Sequence, residues 1–201
     1  MIAVITGDII NSQHSDTESW LNDLKSLLKQ WGDAPAQWEI YRGDEFQIKC
    51  SIDNVFEKFL AIKSLIKTHE NLDVRIAIGI GEEQFSSEKI TESNGTAYVN
   101  SGRLLNDLKS MGRTVAIKTP DEKLNKDLNI LLKWSSIEFD NWTVAISEIV
   151  HQHIICPEIT QEDLAKKLSI TQSSVSQRVK RANLDLIKET NQYFRRKIVE
   201  L

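Results

Sequence analysis

The sequence predicts an α+β protein, with a sheet-forming segment over residues 1–140 and an all-α segment over 141–201. Three observations carry this. Short β-branched runs at 2–7 (IAVITG), 73–81 (DVRIAIGIG) and 114–119 (TVAIKT) alternate with stretches of helical periodicity. From Trp142 onward the pattern becomes wholly helical. The 201 residues are 40% hydrophobic with only 8 Gly and 3 Pro, which excludes disordered, collagen-like and linker chains.

Each element follows from local residue pattern. IAVITG is a buried strand that ends at Gly7 and Asp8. Ser15 or Asp16 then caps a helix whose apolar residues Trp20, Leu21, Leu24, Leu27, Leu28 and Trp31 recur at three and four, and Gly32 closes it. QWEIYR (37–42) and EFQIKC (45–50) alternate on either side of Gly43 and Asp44, which predicts a hairpin. Asp53 is positioned to cap a helix with Val55, Phe56, Phe59, Leu60, Ile62, Leu65 and Ile66 on its apolar face. A strand at 73–81, a helix over about 95–111 and a strand at 114–119 follow, then a short helix and a strand at WSSIEF (134–139). The order βαββαβ is that of a ferredoxin-like sheet, with helices on one face and the other face available for ligands.

In the last third, TVAISEIVHQHII forms one helix that Pro157 stops, and Thr160 caps QEDLAKKL. After a turn at Ser169, Ile170 and Thr171, a helix begins at QSSVSQRVKRANL and continues through Ile187 toward Phe194. Leu164, Ala165 and Leu168 face inward on the first member of this pair, Ile170 plugs the turn, and Val175 and Val179 pack the second. The free face of the second helix carries Gln172, Ser173, Ser174, Ser176, Gln177, Arg178, Lys180 and Arg181 and no carboxylate, which suits base edges and phosphates of double-stranded DNA. A small helical packing module with a polar face is the plainer alternative. The segment resembles the helix-turn-helix of bacterial regulators and sigma-factor-like domains over residues 161–182.

The net charge of −4 conceals an uneven distribution. Residues 151–201 hold nine Lys or Arg and six Asp or Glu, a sum of +3, so the preceding residues sum to −7. Cys50 and Cys156 lie far apart and read as free thiols, with one disulfide as the alternative. The N-terminus lacks a basic run before its apolar stretch, and no window approaches the roughly 20 apolar residues of a membrane span, so a cytoplasmic chain without membrane contact is expected. His151, His153 and Cys156 have ligand-like spacing, but i and i+2 point apart on a helix and no second cluster completes a zinc site. The five tryptophans, Trp20, Trp31, Trp38, Trp134 and Trp142, are expected in the core and at interfaces.

Asp8 at the end of the first strand and Asp44 at the hairpin tip are expected close together, where a divalent cation would offset their repulsion. Both also suit ordinary turns. The stretches TGDII (6–10), RGDEFQIKC (42–50), VRIAIGIG (74–81) and the series Gly95, Ala97, Arg103, Leu104 resemble successive motifs of class III nucleotidyl cyclases and GGDEF domains. That resemblance implies Mg²⁺ or Mn²⁺ on Asp8 and Asp44, a nucleotide triphosphate near Gly7, Gly43 and Arg103, and a transition-state role for Arg103. Val99 replaces the cyclase Asn, and Arg42-Gly43 replaces the Gly-Gly of GGDEF enzymes.

Taken together, ITGDIINS (5–12), RGDEF (42–46), GTAYVNSGRLL (95–105) and TQSSVSQRVKRA (171–182) resemble the bacterial SatD family, with a palm-like domain ahead of a helix-turn-helix. The resulting expectation is a homodimeric DNA-binding transcription regulator whose palm-like domain binds a nucleotide with Mg²⁺. The alternatives are a metal-dependent nucleotidyl cyclase or nucleotidyltransferase with a DNA-binding module, and a vestigial palm that serves only dimerisation.

Overall fold

The computed structural model describes residues 1–14 and 16–201; Ser15, one of the two candidate caps, lies outside them. The strands are β1 (Ile2–Ile10), β2 (Trp38–Tyr41), β3 (Glu45–Cys50), β4 (Asp73–Gly81) and β5 (Val115–Lys118). The α-helices are α1 (Thr17–Lys29), α2 (Val55–Ile66), α3 (Thr96–Met111), α4 (Glu122–Phe139), α5 (Val144–Ile155), α6 (Gln161–Leu168), α7 (Gln172–Arg181) and α8 (Leu184–Val199). The chain is α+β. Its mixed sheet has the order β2-β3-β1-β4-β5, antiparallel except for the β4–β5 pair.

Alternation along the strands divides the apolar residues between two faces. Ala3, Ile5 and Ile9 of β1 and Val74, Ile76, Ile78 and Ile80 of β4 join one large core with α1, α2 and α4. Here α1 inserts Trp20, Leu24, Leu27 and Leu28, while its Asp16 cap accepts from the Glu18 amide at 3.1 Å. Helix α2 is buried along almost its whole circumference, as expected of a helix with the sheet below it and α5 above.

The opposite face differs from the sequence expectation. Instead of lying open, it is covered over β4 and β5 by α3, whose Ala97, Tyr98, Ser101, Leu105 and Leu108 are buried. Glycine makes this close approach possible. A Cβ on Gly79 would sit 2.2 Å from the Ala97 carbonyl oxygen and 2.4 Å from the Ser101 amide nitrogen.

Three further expectations are corrected. WSSIEF is the last part of a continuous α4, because Leu124, Leu128, Leu132 and Phe139 recur at helical spacing into the core and override its short alternating pattern. Asp53 does not cap α2; it lies inside a 3₁₀ turn (Ile52–Asn54), bonded to the Ser51 hydroxyl. The helix begun at Gln172 does not run on to Phe194. It ends at Arg181, Asn183 takes a left-handed φ of 49°, and α8 starts afresh.

Beyond α4 the helices build on α2. His151 of α5 places Nδ1 3.3 Å from the Ser64 hydroxyl and 3.2 Å from the Ala61 carbonyl oxygen. A small core of Ile149, Leu164, Ala165 and Val175 joins α5, α6 and α7, flanked by Ile159, Leu168, Ile170 and Val179. Helix α8 then returns to the main core, stacking Phe194 on Phe56 with ring centroids 4.7 Å apart. The corner between α4 and α5 is tied down by charge. Lys63, 1% exposed, reaches Asp73 at 2.5 Å and Asp140 at 2.6 Å, and Asp140 also accepts from the Thr114 hydroxyl.

Candidate functional site

Register determines what surrounds Asp8. It lies opposite Glu45 of β3 on one side and Arg75 of β4 on the other, so Glu45, Asp8 and Arg75 form a row across three strands on the α3 side. Arg75 Nη1 donates to Asp8 Oδ2 at 2.7 Å. Lys109, from the last turns of α3, stands 3.9 Å from the same oxygen and 3.1 Å from Glu45 Oε1. Asp8 Oδ1 is buried without a hydrogen-bond donor among the described residues, and Arg75 Nε lacks an acceptor. The Asp8 carboxyl is pushed above its ordinary value chiefly by burial; Arg75 and Lys109 oppose the rise and Asp44 adds to it.

Asp44 joins this row from the hairpin tip. The turn takes positive φ at Arg42 (53°) and Gly43 (89°), and the Asp44 carbonyl accepts from the Ile9 amide at 3.1 Å, which ties the tip to β1. Its Oδ2 accepts from the Ser12 hydroxyl at 2.8 Å. Asp8, Asp44, Ser12, Asn11 and Arg75 border one open cleft of about 340 Å³. Two carboxylates in one cleft, one with an orphaned buried oxygen, fit a hard cation that takes its remaining ligands from phosphate and water. Among the described residues no group of three or more His, Cys, Asp or Glu is arranged around a common point.

The second candidate is the α6–α7 pair. Thr160 caps α6 and Thr171 caps α7, each accepting from a backbone amide at 3.1 Å, and Ser169 makes the turn in the left-handed region. Gln172, Ser173, Ser176, Gln177, Lys180 and Arg181 are exposed. Ser174 is half-buried, 3.0 Å from the Thr171 hydroxyl, and Arg178 is half-buried with Nη1 3.2 Å from Glu148 Oε2 of α5.

A family model described as the SatD family matches residues 1–198. The chain belongs to the SatD family. No curated protein and no solved structure matches it. The SatD match is continuous across the cleft, α3 and the α6–α7 pair, so the residues of both candidates fall within one family unit.

Within this SatD chain the remaining candidates separate. Arg103 is exposed on α3 and does not border the cleft; the residue of α3 that stands beside Asp8 is Lys109, 3.9 Å from its Oδ2. Gly7 turns toward the core, where a Cβ would lie 2.4 Å from Phe46 Cζ, while a Cβ on Gly43 would meet nothing within 4 Å. His151 is engaged with α2, Cys156 is exposed, and both cysteines are free. Trp20, Trp38 and Trp142 are buried, and Trp31 lies under the Lys58 ammonium, 4.0 Å from its ring centroid. Trp134 is solvent-exposed.

The sequence reading missed Arg75 and Lys109. Arg75 had a signal, as the one charge inside an otherwise apolar strand interior. Lys109 had none, since an exposed lysine near a helix C-terminus is commonplace.

Proposed function

We propose that this SatD-family protein is a DNA-binding transcription regulator whose sheet domain, residues 1–140, binds a nucleotide triphosphate with Mg²⁺ and thereby modulates DNA binding by residues 141–201. The observation that carries the DNA reading is the exposed, carboxylate-free face of α7, seated on a core that fixes its angle to α6. On this reading Gln172, Ser173, Ser176 and Gln177 meet base edges, and Lys180 and Arg181 meet phosphate. Arg178 orients α7 through Glu148 before it contacts DNA.

The nucleotide reading draws support from the first four strands, whose order β2-β3-β1-β4 is the one a ferredoxin-like palm requires. Asp8 Oδ1 and the Asp44 carboxylate would hold the cation, with Ser12 orienting Asp44. Arg75 and Lys109, already beside Asp8, would face the phosphates. A bound Mg²⁺ supplies charge neutralisation at the triphosphate. A vestigial palm would not need the Asp8 and Asp44 carboxylates to border one open cleft. Cyclase or nucleotidyltransferase chemistry needs Arg103 at the phosphates, and its position outside the cleft favours the non-catalytic reading.

Two binding measurements test this. Wild-type protein should bind duplex DNA with a log K that falls linearly with log salt, and Lys180→Ala with Arg181→Ala should flatten that slope by roughly 0.9 per lost phosphate contact. An unchanged slope places DNA elsewhere. ATP or GTP with Mg²⁺ should raise the Tm of wild type and not of Asp8→Asn with Asp44→Asn. A Tm that ignores Mg²⁺ and nucleotide in the wild type removes the cleft from the proposal.

A further inference from the structure

We propose that Asn125 and Asn129 of α4 are a guard on the sheet edge: they stand in for a sixth strand and keep β5 from pairing with the β5 of another copy of this chain. Strand β5 ends the sheet and, among the described residues, pairs with β4 alone. The Thr114 carbonyl oxygen accepts from the Ile76 amide of β4. By alternation, Ile117 and Thr119, the residue just past the strand, turn their amides and carbonyls outward. An outward row of this kind is a template for another chain. Here it is already filled. Asn129 accepts from the Ile117 amide at 3.0 Å and donates to the Ile117 carbonyl at 2.8 Å. Asn125 accepts from the Thr119 amide at 2.6 Å and donates to the Thr119 carbonyl at 2.9 Å.

Spacing explains how two side chains on a helix can replace a strand. Four residues of helix rise about 6 Å and two residues of strand about 6.6 Å, so amides at i and i+4 match backbone groups at i and i+2. Asn125 meets the later residue and Asn129 the earlier, so α4 runs against the direction of β5. Ile117 and Thr119 are each 1% exposed, so water cannot take the place of the amides. Leu124, Leu128 and Leu132 hold α4 to the core, but leucine offers no partner to four buried backbone groups. Once uncovered, the edge is complementary to itself. About a two-fold axis at Ile117, that residue exchanges both bonds with its own copy, and Val115 exchanges bonds with Thr119. Residues 114–117, TVAI, are uncharged and mostly β-branched, which suits such a seam.

Hydrogen exchange and sedimentation of the full chain test the guard, with Asn125→Leu plus Asn129→Leu compared with wild type. In dilute solution the Ile117 and Thr119 amides of the double variant should exchange at least about 10-fold faster than in wild type, the worth of one ordinary hydrogen bond. At higher concentration the variant should sediment as a larger species than wild type, and the same two amides should slow again. Asn129→Leu alone keeps the buried Asn125 and should speed exchange at Ile117, which preserves the test if the double variant does not fold. Leu24→Ala, a cavity in the core under α1, should lower the Tm and leave the mass at the wild-type value. Four results would each overturn the proposal: amides as slow in the variants as in wild type, a double variant that sediments with wild type at every concentration, association that leaves the two amides fast, or equal association of Leu24→Ala.

Discussion

Asp8 is held by two opposing influences, burial against its charge and Arg75 in favour of it, and burial is the larger. Its folded carboxyl therefore titrates above the ordinary 3.8. In the window just above that value the folded chain binds more protons than the unfolded one, so this residue's contribution to stability falls as pH rises. We expect the Tm of wild type to decline relative to Asp8→Asn as pH is raised from 3.8 through the acid range, with the difference levelling off once the folded carboxylate is ionised. Thermal melts across that range measure it; parallel curves would show that burial is not the dominant influence. The two carboxylates of the cleft were legible because acids stand out against a β-branched run, although β1 does not end at Asp8 as its residues suggest but continues paired to Ile10. Arg75 and Lys109 were less so, since their proximity to Asp8 depends on strand register and on the position of α3 over the sheet. Arg178 shows the same limit: its residue type suits phosphate, and only the packing of α5 under α7 reveals Glu148 beside it.

At the level of elements, α3 supplies a contrast between two glycines. Gly79 of β4 has the backbone of α3 against it, with the Ala97 carbonyl oxygen 2.2 Å from an added Cβ, whereas Gly102 within α3 meets nothing within 4 Å. Gly79→Ala should therefore destabilise by about 1–3 kcal/mol through overpacking. Gly102→Ala should stabilise by about 0.5–1 kcal/mol through helix propensity. Urea melts of the two variants check both signs. Strands were read well from their β-branched composition, and the caps at Thr160 and, as one of two candidates, Asp16 were read from residue type alone, whereas Thr171, which caps α7, was read only as part of the turn. The misreadings have specific causes. WSSIEF alternates over too short a stretch to outweigh the leucine spacing that precedes it. The break at Asn183 leaves no mark on the apolar periodicity, because Ala182, Leu184 and Ile187 are buried on both sides of it. The location of α3 on the second face depends on Gly79 and Gly81, and glycine in a strand signals close approach without naming the partner.

For the whole molecule, the buried Lys63 joins α2 to the start of β4 and to the corner between α4 and α5. Lys63→Ala would leave Asp73 and Asp140 facing each other without their common cation, and should cost about 3 kcal/mol in a denaturant titration. A loss within a few tenths would mean that Lys67, which also reaches Asp73 and the Asp140 carbonyl, substitutes for it. The core is equally indivisible, because α8 leaves the α6–α7 pair to pack Phe194 against Phe56. The sheet itself separates the two candidate sites. Asp8 faces the α3 side, while α7 is carried by α5 on the far side of α2. A ligand in the cleft and DNA on α7 therefore do not compete for the same atoms. On the proposed function, excess of either would not displace the other outright; each would alter the other's equilibrium affinity by an equal factor, so occupancy of the cleft could be read from DNA binding and DNA occupancy from the cleft.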